Sequence, residues 1–255
     1  MMSAIKLPIE SLTSEPYSSI LCYPHTNPAE VENRIIELRE LGVEAIELTG
    51  SNSAISVPHM PVIGKGHQGI VVIAYVGNER LAVKIRRTDS TRGDCCHEAA
   101  MLQQANQIGI GPKFIAATKN CLLSHFIDGD FLLKWLLNHN DKVSCRKVIT
   151  DIFEQCWALD EAGLNHGELS NAHRHLLLEK NGRVFIVDFE SATIRFKVSN
   201  VTSICQYLFI GNNPVRMLIW EILGEKDPAH IIGVLHSYKR ERTIHRFENL
   251  LRVVL

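Results

Sequence analysis

The chain lacks several features that would place it quickly, and each absence removes a class. Its seven cysteines (Cys22, Cys95, Cys96, Cys121, Cys145, Cys156 and Cys205) are odd in number, scattered, and never spaced Cys-x-x-Cys. That pattern argues against a disulfide framework and against a zinc knuckle. Cys95-Cys96-His97 puts three ligand types in a row, but adjacent residues on a helix point in different directions, so the string is a poor metal motif. Neither sign of charge is in excess, with 27 basic residues against 28 acidic ones, so bulk charge gives no drive toward nucleic acid. No basic-then-apolar leader pattern opens the chain, and no apolar run approaches the length of a membrane span. Repeats and low-complexity tracts are missing too. A protein of the reducing cytoplasm, with no membrane partner, is the expectation.

What remains is globular. A chain of 255 residues with 45% hydrophobic and 22% charged content supports a sizeable core and suits one two-lobed domain, or a domain with a small extra module. Residues 1–60 read as an N-terminal extension module. Asn27-Pro28 marks a helix start with Glu30 in the first turn, and Val31, Ile35, Ile36 and Leu38 form its apolar stripe up to Leu41-Gly42. Val43 to Leu48 alternates as a strand does, and Gly50 to Ser53 reads as a turn. From residue 61, two strands flank a glycine cluster, and Leu81-Ala82-Val83-Lys84-Ile85 forms a third. His97 to Gln107 is helix-like, Gly109-Ile110-Gly111-Pro112 breaks the chain, and further apolar segments run to residue 127. Helical patterns return at 131–138 and 147–161. The expected class is α+β, divided at 1–60, 61–127 and 128–255.

Four strings carry chemistry. In Gly64-Lys65-Gly66-His67-Gln68-Gly69-Ile70-Val71, the glycines let backbone approach phosphate where a side chain would collide. A dinucleotide turn of similar spelling opens a helix. Here Ile70-Val71-Val72-Ile73 is β-branched, which favours a hairpin, either an ordinary one or one lying over phosphates. Lys84 ends an apolar strand, and Glu98 sits in the first turn of the next helix. Two solvated side chains would be unremarkable, but an ion pair that aims the ammonium at phosphate explains both with one geometry. Asp188 follows the apolar run Arg183 to Val187; a carboxylate there either caps a turn or holds a divalent ion. His166-Gly167-Glu168-Leu169-Ser170 adds a carboxylate beside Asn171, His173, Arg174 and His175. His173, or Asn171, could bind an ion, His175 and Arg174 could reach phosphate oxygens, and both histidines could equally be packed loop residues. Glu190 could join a metal shell or anchor Arg195.

In this order the strings resemble the protein-kinase superfamily. The chain is most similar to its small atypical branch, the RIO-type kinases and the kinase of the archaeal tRNA-modification complex. More narrowly it resembles an archaeal and cyanobacterial family of predicted Ser/Thr protein kinases. The narrower likeness rests on Leu21-Cys22-Tyr23-Pro24, Lys84 to Asp89, His166 to Ser170, Asp188-Phe189-Glu190-Ser191-Ala192 and Asn200 to Ser203, and it covers nearly the whole chain.

The resemblance implies a two-lobe fold, with a small N-lobe sheet carrying one helix and a reduced helical C-lobe. ATP would bind between the lobes with Mg²⁺ or Mn²⁺. Gly64, Gly66, Gly69, Val71, Lys84 and Glu98 would serve the phosphates, and Ser124 and Phe126 the adenine. Asp188 would hold metal, and Glu168 would stand where the family's usual catalytic aspartate does. Glu is one methylene longer, a reach of about 1.5 Å. The second metal position falls on His173, with Asn171 as the alternative, and imidazole suits Mn²⁺ better than Mg²⁺. Glu or Gln at the aspartate position and Asp-Phe-Glu are usual in that narrower family. No Ala-Pro-Glu string follows Glu190, so the platform for a protein substrate is reduced and the phosphoacceptor is open.

Three functions compete: an ATP-dependent kinase or ATPase, a nucleotide-binding switch without transfer, and a small-molecule phosphotransferase. The last wants a large helical insertion that this chain does not show. The basic Lys239-Arg240-Glu241-Arg242, with His245-Arg246, reads as a solvated helix end or as a contact for RNA or a protein partner.

Overall fold

The β-branched runs around Val72 and Val83 are too short and too regular for helices, and both become long strands. The computed structural model describes residues 4–49, 56–57, 60–195 and 197–255. The expected turn at Gly50 to Ser53 lies outside them. The fold is mixed α+β and divides into two compact units, Met1–Ala100 with Pro112–Phe126, and Met101–Gly111 with Ile127–Leu255.

The first unit contains, in chain order, β1 (Ile5–Pro8), α1 (Ser18–Leu21), α2 (Pro28–Glu40), β2 (Ala45–Leu48), β3 (Ser56–Val57), β4 (Met60–Pro61), β5 (Gly64–Lys65), β6 (Gly69–Val76) and β7 (Glu79–Arg86). The start of α3 (Cys96–Gln107) follows, then β8 (Phe114–Ala117) and β9 (Cys121–His125). Among the described residues, seven strands form one antiparallel sheet in the order β1-β2-β6-β7-β9-β8, with β5 paired to β6.

The first sixty residues supply two strands of this sheet, since Ala45 to Glu47 register with Tyr75 to Ile73. Helix α2 starts as its sequence dictates. Asn27 Oδ1 accepts from Ala29 N at 3.0 Å and Pro28 occupies the first turn. Val31, Ile35 and Leu38 enter the same core as Ile46, Ile70, Val72, Val83 and Leu123. Ile36, expected in that stripe, is exposed. Arg34 is buried instead, because Glu30 pairs with it at 2.8 Å and the carbonyls of Leu21 and Arg86 accept from its guanidinium.

The second unit contains β10 (Gly129–Phe131), α4 (Leu132–Asn138), α5 (Lys142–Glu161), β11 (Leu164–Asn165), β12 (Leu176–Glu179), β13 (Val184–Ile186), β14 (Thr193–Ile194), α6 (Asn200–Cys205), α7 (Pro214–Leu223), α8 (Pro228–Arg240) and α9 (Ile244–Val254). Helix α5 begins earlier than its apolar pattern suggested, because Asp141 caps it by accepting from Ser144 N at 2.8 Å. Cys145, Val148, Ile149, Ile152, Phe153, Cys156 and Leu159 then repeat at helical spacing and are all buried. Strands β10, β12 and β13 form a small antiparallel sheet, and β11 pairs with β14. No helix among the described residues is long and apolar enough to cross a membrane.

Candidate functional site

Two constellations hold the expected site residues, one in each unit. In the first, β5 and β6 form a tight hairpin in which Gly64 registers with Val71 and Lys65 with Ile70. Gly66 N donates to Gly69 O at 2.8 Å across the turn. None of Gly64, Gly66 and Gly69 has a left-handed φ, so backbone conformation is not why these positions are glycine. Gly69 has a different reason. A Cβ there would lie 2.9 Å from Lys84 Cε and 3.0 Å from Lys84 Cγ, so its missing side chain is the channel for the lysine stem. A Cβ on Gly66 would meet only Gly69 O, at 3.7 Å.

The lysine so threaded ends 2.8 Å from Glu98 Oε2, and the two side chains are 15% and 10% exposed. Glu98 is on the first turn of α3, whose start is fixed by Asp94 Oδ1 accepting from Cys96 N at 2.9 Å. The strand carrying Lys84 is itself braced. Asn120 Oδ1 accepts from Arg86 Nε and Nη2 at 2.9 and 2.7 Å, and Glu37 of α2 takes the Asn120 backbone N at 2.7 Å. The hairpin tip is pinned by Arg87, which donates to Gly66 O at 3.0 Å and pairs with Asp89 at 2.6 Å. Glu37, Asn120 and Arg34 had no motif to reveal them, since their value lies in pairings distant in sequence.

Ser124 is buried in β9 opposite Ala82, and Phe126 just beyond the strand lies 5.0 Å under the Arg80 guanidinium. Cys95 is buried and its thiol is pushed up to about 12, chiefly by burial and next by Glu98, whereas Cys96 is exposed. The two thiols therefore do not share one environment, as a ligand pair would.

In the second unit the sites come from loops. Gly167 has φ +91°, and a Cβ there would sit 2.8 Å from Ser191 O, so only glycine lets this loop close on the segment after Asp188. That closure places Glu168. Its Oε1 accepts from Ser191 Oγ at 2.5 Å and its Oε2 stands 3.0 Å from His175 Nε2. Asp188 is the one non-glycine residue with positive φ (68°) among those described.

One ligand atom each from Glu168, His175 and Asp188 lies within 4.8 Å of the others. A Glu190 carboxylate oxygen is within the same distance of one from Asp188. His175 Nδ1 and His166 Nε2 both approach the Val187 carbonyl, at 3.3 and 3.1 Å. A carbonyl only accepts, so both nitrogens carry hydrogen. His166 is fully buried, which pushes its imidazole down to about 4 and keeps it neutral. Its ring packs edge-on to Phe189. The loop is anchored by buried Asn200, whose Oδ1 accepts from His166 N at 2.9 Å and whose Nδ2 donates to Asp160 at 2.8 Å.

Asn171 and His173 turn to each other instead, with Oδ1 and Nδ1 3.0 Å apart, and both are exposed. His173 is not one of the clustered ligands; His175 is. An imidazole with two carboxylates is a donor set that fits a divalent ion. Lys239, Arg240, Arg242, His245 and Arg246 are all exposed around the α8–α9 turn. A scan against protein-family models finds no match, and a search of curated proteins finds none. The functional reading therefore rests on the residues and their geometry.

Proposed function

We propose that the chain is a nucleotide-dependent phosphotransferase of protein-kinase-like type, its two compact units being the small and large lobes. Within that class the reading narrows to an atypical ATP-dependent Ser/Thr kinase, a member of the branch its motifs resemble, with ATP hydrolysis as the reaction when water is the acceptor. The observation that carries it is the 2.8 Å Lys84–Glu98 pair, with Gly69 giving way to the lysine stem. A solvated surface lysine needs neither a glycine channel nor a largely buried carboxylate. A lysine that must hold one position against phosphate needs both.

In this proposal Lys84 neutralises phosphate oxygens while Glu98 fixes the ammonium. The backbone of the 64–69 hairpin covers the phosphates, Ser124 and Phe126 flank the adenine, and Asp188 holds the divalent ion. ATP supplies the phosphoryl group, and the ion offsets charge on it. Glu168 orients the acceptor and takes its hydroxyl proton as oxygen bonds to the γ-phosphorus and the bond to the β-phosphate oxygen breaks. The phosphoacceptor is a hydroxyl compound, protein or otherwise.

One observation favours a second reading, a nucleotide-binding switch without transfer: Glu168 already has a partner at each carboxylate oxygen. Turnover of γ-labelled ATP with Mg²⁺ or Mn²⁺ separates the two. The kinase reading expects label transfer or phosphate release that Lys84→Ala and Asp188→Ala abolish. Because Lys84→Ala removes the 2.8 Å cationic partner of a largely buried Glu98, Lys84→Met with Glu98→Gln serves as the folded control. ATP binding without turnover under either ion overturns the enzyme and leaves the switch.

A further inference from the structure

We infer that Glu168, His175 and Asp188 form a divalent-metal site in which His175 Nε2 is a direct ligand, selective for Mn²⁺ over Mg²⁺. The inference deepens the proposed function and rests on it only for the use of the ion in phosphoryl transfer; metal binding itself needs no nucleotide.

The geometry of one ring sets the site. Val187 O can only accept, so Nδ1 of His175 carries a hydrogen toward it and Nε2 is the nitrogen turned to the cluster. Nε2 stands 3.0 Å from Glu168 Oε2. Either a proton or a metal ion shared by the two atoms accounts for so close an approach. Two neighbouring ligands held at about 2.1 Å by one octahedral ion stand about 3.0 Å apart, which is the separation seen. Asp188 brings a third donor within 4.8 Å, a spacing that one ion can serve.

The ring cannot swing away to relieve the contact. His175 is 6% exposed and packs edge-on to the buried His166, 5.1 Å between centroids, while both rings share the Val187 carbonyl. Fixing a histidine through its far nitrogen to a backbone carbonyl is how metal-binding imidazoles are oriented. Ser191 does the same for Glu168 by occupying its other oxygen. Imidazole is a poor ligand for Mg²⁺ and a good one for first-row transition ions, and the two carboxylates keep the set hard enough for Mn²⁺.

The test is Mn²⁺ titration of the chelator-stripped full chain without nucleotide, read by electron paramagnetic resonance. The expected result is one bound ion per chain, with a nitrogen hyperfine coupling in the pulsed spectrum that changes when histidine is ¹⁵N-labelled. His175→Gln should remove the coupling and weaken binding at least about tenfold, while His236→Gln, on the exposed face of α8, changes neither. Mn²⁺ that binds without nitrogen coupling, or no Mn²⁺ binding at all, overturns the site and leaves the protonated His175–Glu168 pair. The wild-type spectrum decides this even if the variant does not fold. A chain that turns over ATP but shows no coupling loses this inference and keeps the phosphotransferase. A chain that binds Mn²⁺ through His175 but neither binds nor turns over ATP does the reverse.

Discussion

The two constellations are built by opposite means. Lys84 and Glu98 are carried by regular elements, a strand in full register with β6 and β9 and the first turn of a helix. Their glycine neighbours have ordinary φ values, and what Gly69 contributes is room. Glu168, His175 and Asp188 are carried by irregular backbone, with Gly167 and Asp188 both left-handed and a single carbonyl, Val187 O, holding two imidazoles. A charged pair can be placed by a sheet because strand register fixes direction every second residue. Three side chains brought together from separate loop positions require the chain to turn sharply, and backbone strain is stored where that happens.

The difference can be broken experimentally, and the largest effect is expected at the anchor of the loop region. Buried Asp160 accepts from Asn200 N and Nδ2, Val201 N and Tyr238 OH. Asp160→Ala orphans these donors and should cost about 3–5 kcal/mol in urea unfolding. In variants that stay folded it should weaken Mn²⁺ binding, because Asn200 also holds the backbone of His166.

Next comes the sheet region. Gly69→Ala pushes on the Lys84 stem and should lower ATP turnover by roughly tenfold to a hundredfold, with little change in unfolding free energy. Gly66→Ala, whose Cβ would meet only Gly69 O at an ordinary contact distance of 3.7 Å, should stay within about threefold of wild type. Equal effects at Gly66 and Gly69 would show that the hairpin needs glycine for another reason.

The smallest effect tests the strain. Asp188→Gly removes the left-handed penalty of about 1 kcal/mol, partly offset by the freer unfolded chain. The backbone change by itself should leave thermal stability near wild type while Mn²⁺ binding disappears. A clear loss of stability would mean that the aspartate is a structural cap.

These two modes of construction also explain what the sequence disclosed. The hairpin, Lys84, Glu98 and Asp188 were legible because β-branched runs and a helix start leave periodic signals around them. Residues whose partners are distant left none. Arg34 reads as a polar residue on an amphipathic helix, yet carbonyls of Leu21 and Arg86 draw it into the core while Ile36 faces out. The substitution of His175 for His173 in the cluster has the same origin. Which of two nearby histidines points inward depends on a kinked 3₁₀ turn, with non-helical φ/ψ at Asn171 and Ala172, and on hydrogen bonding to Val187, features with no period to read. The early start of α5 was signalled by Asp141, but as a single cap residue rather than a repeat.

Nucleotide binding by the Lys84 constellation is the claim on which the proposed phosphotransferase depends. Calorimetric titration of the full chain with a non-hydrolysable ATP analogue and Mn²⁺ measures it without requiring turnover. One saturable site per chain is expected, weakened at least about tenfold when Lys84→Met is combined with Glu98→Gln, since in the proposed function Lys84 is the phosphate-binding cation and Glu98 the group that positions it. No saturable binding, or equal binding by the double variant, would contradict it.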